Sequence, residues 1–429
     1  MNALVGAAYG SAAAIAELMT RVVPARSAGK VGKAFSSRRG LRGRYDAWAS
    51  AHRDRSRRLV WFHAASVGEG MMALPVLQRL QRAMPDVQTA FTFFSPSAER
   101  FALQTGADFT DYLPFDSASA MRAAIAALSP TALVFARSDV WPVMVREAIA
   151  AHVRTALVSA SMPAHSMRTS SLGALITRDA YAALDATGAA SSEDAERIIA
   201  AGARASRVRV TGDTRYDQAW ARANVDRRNI ELVDALASRR PTLVAGSTWP
   251  ADEHAMLPAW ITLRAAIPEA RIFIAPHELG SHHLESLERW ARSANLTCAR
   301  LAAATTETDV VLVDRMGVLA DLYRVATVAY VGGGFHDAGL HSIVEPAVFG
   351  VPVMIGPRHA SSRDAQLMLR SSGAVSVHDA AEFARVMTRL MSDQRERADR
   401  SDAIGAVVAA ELGAADRSFE IVRELLRAV

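Results

Sequence analysis

One cysteine in 429 residues, Cys298, excludes an intrachain disulfide. That suits a reducing compartment. Lysine is almost as scarce. Lys30 and Lys33 are the only two, and arginine supplies every other side-chain cation. Beside so many alanines, this reads as a bias of genome base composition, so a lone arginine says little about function. No Cys/His cluster has metal-ligand spacing, and no Ser-centred GxSxG is present. The Gly-rich "VGGGFHDAG" is not GxGxxG, so the nicotinamide dinucleotide fingerprint is missing. Neither a metal nor a cofactor is expected. What is there is a half-apolar chain with 22% charged residues, rich enough to build packed cores and too apolar for disorder.

The net charge of +5 is unevenly placed. Residues 26–58 hold Arg26, Lys30, Lys33, Arg38, Arg39, Arg42, Arg44, Arg53, Arg55, Arg57 and Arg58, opposed only by Asp46 and Asp54. Before this basic arm runs "MNALVGAAYGSAAAIAELMTRVV", about the ~20 apolar residues that a membrane span needs. It is Ala-rich and interrupted by Glu17 and Arg21. A span, an interfacial helix and an ordinary soluble helix all fit. A basic start, the mark of a signal peptide, is lacking. The trailing cations would keep residues 26 onward on the cytoplasmic side.

After residue 58, apolar strand candidates alternate with helix-period segments. "LVWFHA" (59–64), "VQTAFTFF" (87–94), "DYLPF" (111–115), "ALVFA" (132–136), "TALVSA" (155–160) and "RVRVTG" (207–212) form one set. A polar helix and linker follow at 216–238. The pattern then restarts with "PTLVAGS" (241–247), "RIFIAP" (271–276), "DVVLVD" (309–314), "VAYVGGG" (328–334), "VPVMIGP" (351–357) and "AVSVHD" (374–379). The alternation predicts two Rossmann-like α/β domains with mainly parallel sheets, facing a cleft. The expected boundaries are 1–50 for an N-terminal helical segment, 51–215 for the first domain and 216–429 for the second. The final helix either stays with the second domain or crosses back. Ligands of such sheets bind on the loops beyond the carboxyl ends of the strands.

Two of those loops share a spacing. Ser66-Val67-Gly68-Glu69 and Ser342-Ile343-Val344-Glu345 both match the capping box, in which Ser and Glu satisfy free N–H groups at a helix start. Glu69 fits a cap poorly. Gly68 and Gly70 flank it, each costing a helix ~1 kcal/mol relative to alanine, and Pro75 would interrupt a helix begun at Val67. Glycines around a carboxylate also suit close approach of a ligand. Glu345 reads as the cleaner cap, with Gly350 as a stop; the alternative is a carboxylate that binds ribose. In "AGSTWPADE", Ser247 and Thr248 precede a helix start that would bind phosphate or merely be capped. Ser95 reads as a cap with Pro96 at the first helical position. Arg137 and Asp139 end a strand beside Trp141, with a local ion pair as the plain reading. His277 ends another strand.

Taken in order, "HAASVGE", "YLPFD", "SDVWP", "GDTRYD", "GSTWPADE", "IFIAPHE" and "YVGGGFHDAGLHSIVEPAVFGVPVMIGP" resemble the 3-deoxy-D-manno-octulosonic acid (Kdo) transferases, GT-B enzymes that attach Kdo to lipid A precursors. The matching segments span about residues 59–375. The resemblance implies Glu69 as catalytic base and Asp139 at a second acidic position of the site. It implies Arg215, Ser247, Thr248, His277, Gly333, Gly334, His341, Ser342 and Glu345 on the donor side, with Glu345 on the ribose. Ser66, Gly68, Gly70, Arg137 and Trp141 fall on the acceptor side. The chain departs from the family pattern at Arg137, often acidic, and at Ser342, where His-Asn is common.

The implied reaction moves Kdo from CMP-Kdo to a sugar hydroxyl of a lipid A precursor with inversion. The implied location is the cytoplasmic face of the inner membrane. GT-B enzymes usually need no metal. Two rivals remain: another GT-B sugar-nucleotide enzyme such as an epimerase, and a nucleotide- or RNA-binding protein using the basic arm. Stacking aromatics in the arm are few (Phe35, Tyr45 and Trp48), so an anionic membrane suits it better than nucleic acid.

Overall fold

A computed structural model describes residues 3–22, 29–163, 171–224 and 229–427. The chain divides into two compact units, residues 1–218 with 412–429, and residues 219–411. The first unit holds strands β1 (Leu59–His63), β2 (Gln88–Phe93), β3 (Phe109–Tyr112), β4 (Ala132–Ala136), β5 (Arg154–Ala160), β6 (Ala186–Ala189) and β7 (Val208–Val210). They form one parallel sheet in the order β3-β2-β1-β4-β5-β6-β7. The second unit repeats the plan. Its strands are β8 (Thr242–Thr248), β9 (Arg271–Pro276), β10 (Cys298–Arg300), β11 (Val310–Leu312), β12 (Val328–Val331), β13 (Val353–Ile355) and β14 (Ala374–Ser376). Their order is β10-β11-β9-β8-β12-β13-β14, again all parallel.

The central strands are buried along their whole length. This is why they read as continuous apolar runs rather than alternating ones. Two strands had no such signal. "ATGA" of β6 is short, with one strand former, Thr187, among alanines and a glycine, and is drawn in by pairing with β5 and β7. "CAR" of β10 pairs with β11 alone.

The N-terminal segment forms three helices, α1 (Ala3–Val22), α2 (Gly29–Ser36) and α3 (Leu41–His52). Among the described residues no helix is long and apolar enough to cross a membrane, which sets aside the spanning alternative for α1. Instead α1 is tied to its own unit. Tyr9 donates to Asp116 (2.9 Å), and Ser117 donates to Glu17. Much of the basic arm is engaged inside the unit as well. Arg38 is buried, donates to three carbonyls and lies 4.1 Å from the Phe94 ring. Its loss of hydration lowers the guanidinium to about 10. Arg44 chelates Asp111, Arg53 donates to Leu128 and Ser129, and Arg58 donates to Leu426.

Helix α4 (Val67–Ala83) runs through Pro75, so the expected interruption does not occur. Pro75 cannot donate to the carbonyl four residues back. The neighbouring Met72 carbonyl accepts from the Thr214 hydroxyl (2.6 Å), and α4 buries Val76, Leu77 and Leu80 in the core. Packing thus outweighs one missing helix bond. Ser95 is not a side-chain cap. Only a 3₁₀ turn (Pro96–Ala98) and a four-residue helix follow it, and its hydroxyl meets that of Ser97 at 2.8 Å. The last helix, Ala414–Arg427, belongs to the first unit and buries Phe419, Ile421, Val422, Leu425 and Leu426 in its core.

Candidate functional sites in the two units

In an open parallel sheet, neighbouring strands whose connections leave in opposite directions open a crevice at their carboxyl ends. In the first unit those strands are β1 and β4. The turn after β1 carries Ser66, the N-cap of α4, whose first turn holds Gly68, Glu69 and Gly70, and the loop after β4 carries Arg137, Asp139 and Trp141. Ser66 and Glu69 form a complete capping box. The Ser66 N–H and hydroxyl donate to Glu69 Oε2 (2.8 and 2.6 Å), and the Glu69 N–H donates back to Ser66 Oγ (3.5 Å). The other oxygen, Oε1, lies 4.0 Å from Arg137 Nη1. Arg137 thus turns to Glu69 rather than to Asp139. Its backbone sits at φ 63, a left-handed conformation uncommon for arginine. Trp141 donates to Asp139 (3.0 Å).

The two glycines beside Glu69 differ. A Cβ on Gly70 would lie 2.4 Å from Phe101, so packing requires that glycine. A Cβ on Gly68 would meet only Ser66 Oγ at 3.9 Å, so the space above Gly68 is open.

Beneath this site lies His63, the last residue of β1. It is fully buried, edge-on to Trp141 at 5.8 Å, with Nδ1 beside the Thr92 hydroxyl (3.0 Å). Its Nε2 is buried without a hydrogen-bond partner among the described residues. Burial lowers its titration to about 3, so the ring is neutral at physiological pH. Asp116, also buried, accepts from the Val143 and Met144 N–H groups (3.0 and 2.8 Å) at the start of helix Pro142–Ala150. Burial raises its carboxyl to about 6 despite those bonds.

In the second unit the corresponding strands are β8 and β12. Ser247, at φ 53, and Thr248 end β8, and helix Pro250–Ala266 follows. The Thr248 hydroxyl donates to Glu253 (2.8 Å). Asp252 is fully buried and accepts from the N–H groups of Trp249, Gly333 and Phe335 and from the Tyr330 hydroxyl. It therefore ties the helix start to the Gly-rich loop after β12. That loop needs its glycines, since a Cβ on Gly333 would lie 2.1 Å from the Gly339 carbonyl and one on Gly334 2.5 Å from Gly356 N.

Trp249 stacks on His336 (4.1 Å) and on His277 (4.5 Å) and donates to His341 Nε2 (3.1 Å). Burial, and then the neighbouring His277, lower the His341 imidazole. Ser342 is exposed and makes no cap. Glu345 lies in a four-residue helix, Val344–Ala347, whose N-cap is Ile343, so the expected capping box is absent there. Its carboxyl has no side-chain hydrogen bond among the described residues. Burial raises its titration, while Arg222 opposes that shift.

Two clusters therefore gather most of the expected residues. Glu69, Ser66, Gly68, Arg137, Asp139 and Trp141 share one crevice, with Gly70 packed behind it. Ser247, Thr248, His277, Gly333, Gly334 and His341 share the other. Arg215 belongs to the first unit and donates to Asp213 (2.9 Å from Nε). Sequence reasoning missed Asp252, His336, Trp249 and His63. An acid at the third position of a helix was the available signal for Asp252.

The family model described as 3-Deoxy-D-manno-octulosonic-acid transferase (kdotransferase) matches residues 37–218. The 3-deoxy-D-manno-octulosonic acid transferase of Bordetella pertussis is 30% identical over 385 residues, covering 86% of this chain and 87% of the relative. That of Chlamydophila psittaci is 27% identical, covering 86% of each. Among solved structures, the UDP-GlcNAc 2-epimerase of Neisseria meningitidis superposes with a TM-score of 0.63 at 11% identity, over 87% of this chain and all of that one. The latter likeness establishes a shared α/β fold of GT-B type, built from two Rossmann-like units. At 30% identity over most of both chains, the chain belongs to the 3-deoxy-D-manno-octulosonic acid transferase family.

Proposed function

We propose that the protein transfers Kdo from CMP-Kdo to a sugar hydroxyl of a lipid A precursor, inverting the anomeric centre. The observation that carries this reading is Glu69. One of its oxygens is anchored by Ser66, which fixes the carboxylate, and the other is held only loosely beside Arg137. Geometry comes first for a general base, and here Oε1 is left to accept the hydroxyl proton as the new bond forms. Asp139 and Trp141 would orient the acceptor, and the open space over Gly68 would admit it.

On the donor side, CMP departs with its phosphate, and that charge needs donors that are already in place. The backbone turn at Ser247 and Thr248 would supply N–H groups. His277 and His341, and the main chain of the loop containing Gly333 and Gly334, would surround the leaving group. Glu345, part-buried and unpaired, is suited to accept from ribose hydroxyls. Arg215, which also donates to Asp213, would add a cation for the leaving phosphate. No residue cluster that could hold a metal occurs among the described residues, and neither role requires one.

Docking to the cytoplasmic face of the inner membrane would use α1. It is anchored on one side through Tyr9 and Glu17, while Ile15 and Leu18 are 62% and 58% exposed. That pattern suits an interfacial helix lying on anionic lipid, with exposed Lys33 and Arg42 nearby in the chain. Flotation with anionic liposomes at low and high salt tests it. Full-length protein that stays unbound at low salt removes the membrane proposal. The arginines engaged inside the first unit count against the RNA-binding rival.

Product analysis with CMP-Kdo and a tetraacylated lipid A precursor tests the activity. A product heavier by one or more Kdo units is expected. Protection against heating by UDP rather than CMP would favour a different sugar-nucleotide enzyme.

A further inference from the structure

Tyr9 lies outside every motif, on a helix with no obvious place in a glycosyltransferase site. We propose that it is a positioning residue for the acceptor side, acting through Asp116 on the turn that carries Asp139 and Trp141. The inference rests on the Kdo-transfer reading given above.

Helix Pro142–Ala150 begins with a proline, so Val143 and Met144 supply its first N–H donors. Both are bound by Asp116, from the loop before another helix. Tyr9 occupies a further lone pair of the same carboxylate, reaching Oδ2 at 2.9 Å across 107 residues of sequence. Trp141 is the N-cap of that helix, and Asp139, two residues earlier, accepts from its indole. The ring is wedged between His63 and Phe94, at 5.8 and 4.9 Å. A shift of the first turn must therefore move Trp141 and Asp139 together. Burial, then Asp116 and more weakly Asp139, push the Tyr9 phenol far above its ordinary range, so it remains a donor.

Simple docking of α1 has its own tether in Glu17, which accepts from Ser117. That separates the two roles. The test uses the full-length chain with 5-fluorotryptophan incorporated, and the Trp141 resonance assigned through Trp141→Phe. Tyr9→Phe should move the Trp141 resonance and lower kcat/KM for the lipid acceptor about tenfold, the worth of a hydrogen bond to a charged group. The KM for CMP-Kdo should stay within about twofold, because only the acceptor side is displaced. Glu17→Ala, which loosens only the helix tether, should leave the Trp141 resonance in place. A Tyr9→Phe resonance that coincides with wild type overturns the proposal, as does an equal shift of that resonance in Glu17→Ala. A wild-type protein that fails to transfer Kdo sinks the functional reading instead, and the resonance still decides the role of Tyr9.

Discussion

In the first unit, Ser66 and Glu69 close a capping box; in the second, Ser342 and Glu345 keep the spacing and make neither bond. The difference lies one residue beyond the motif. A box needs the fourth helical residue to donate its N–H to the carbonyl of the cap. Gly70 does so, reaching the Ser66 carbonyl at 2.9 Å. The equivalent residue after Ser342 is Pro346, which has no N–H and whose ring would crowd that carbonyl. The helix therefore starts later, at Val344, and lasts four residues. Glu345 is left without a backbone partner. The glutamate that looked the poorer cap is the real one, and the cleaner match is the free carboxylate. A complete cap therefore does not exclude the proposed role of Glu69, because the cap uses Oε2 and leaves Oε1 4.0 Å from Arg137.

The first unit also carries a pH dependence that can be separated by mutation. His63 titrates near 3 instead of 6.5, so its contribution is complete above about pH 6.5 and disappears as pH falls toward 3. It amounts to about 5 kcal/mol across that range. Asp116 has the opposite sign. Raised from 3.8 to about 6, it favours the fold below pH 4 and loses that contribution, about 3 kcal/mol, as pH rises through 6. The two partly cancel. Asp116→Asn should therefore make acid destabilisation steeper, which denaturant melts between pH 3 and 7 would detect. An unchanged slope removes Asp116 from this account.

Glu69→Gln keeps the shape of the cap and removes the base. Turnover should fall by ~10²-fold or more with the melting temperature nearly constant. Near-normal turnover would reduce Glu69 to a cap and make the two segments alike. Glu345→Gln should weaken CMP binding by ~1.5–3 kcal/mol, the worth of a charged hydrogen bond. Since no cap is lost and a poorly solvated charge is relieved, the melting temperature should hold or rise. Calorimetric titration beside a thermal melt checks both; lost stability with intact affinity contradicts the ribose role.

The smallest expected effects come from the paired glycines. Gly70→Ala must displace Phe101 and should cost ~1–3 kcal/mol of stability. Gly68→Ala meets open space and should raise stability by up to ~1 kcal/mol, while lowering activity if the acceptor passes there. Equal stability losses at both positions would show that neither glycine is reserved for substrate.

Most of the fold was legible because parallel strands buried on both faces leave long apolar runs, and β4 and β9 coincide with the segments expected for them. The short β6, with one strand former, and the three residues of β10 left no such trace. The site was legible where a side chain sits next to its own strand end, as with Glu69, Arg137 and Ser247. It was not legible where partners come from afar. Nothing local to Tyr9 announces Asp116, and nothing in "HAASVGE" announces that His63 is buried under Trp141. The Asp252 knot joins residues some 80 positions apart (81 for Gly333), beyond the reach of any periodicity. Pro75 misled for a related reason, since its helix is held by Thr214 and the core rather than by its own ladder.

Helix Ala414–Arg427 sets an order on the ribosome. Its apolar face completes the core of the first unit, beside α4 and β5, yet it is made after the whole of residues 219–411. At roughly 5–20 residues per second, the first unit waits on the order of ten to forty seconds with that groove unfilled. The later-made unit has all of its strands before the earlier one is finished. A nascent chain stalled near residue 411 would expose Val76, Leu77 and their neighbours to chaperones, so chaperone capture should persist until translation has passed the last helix.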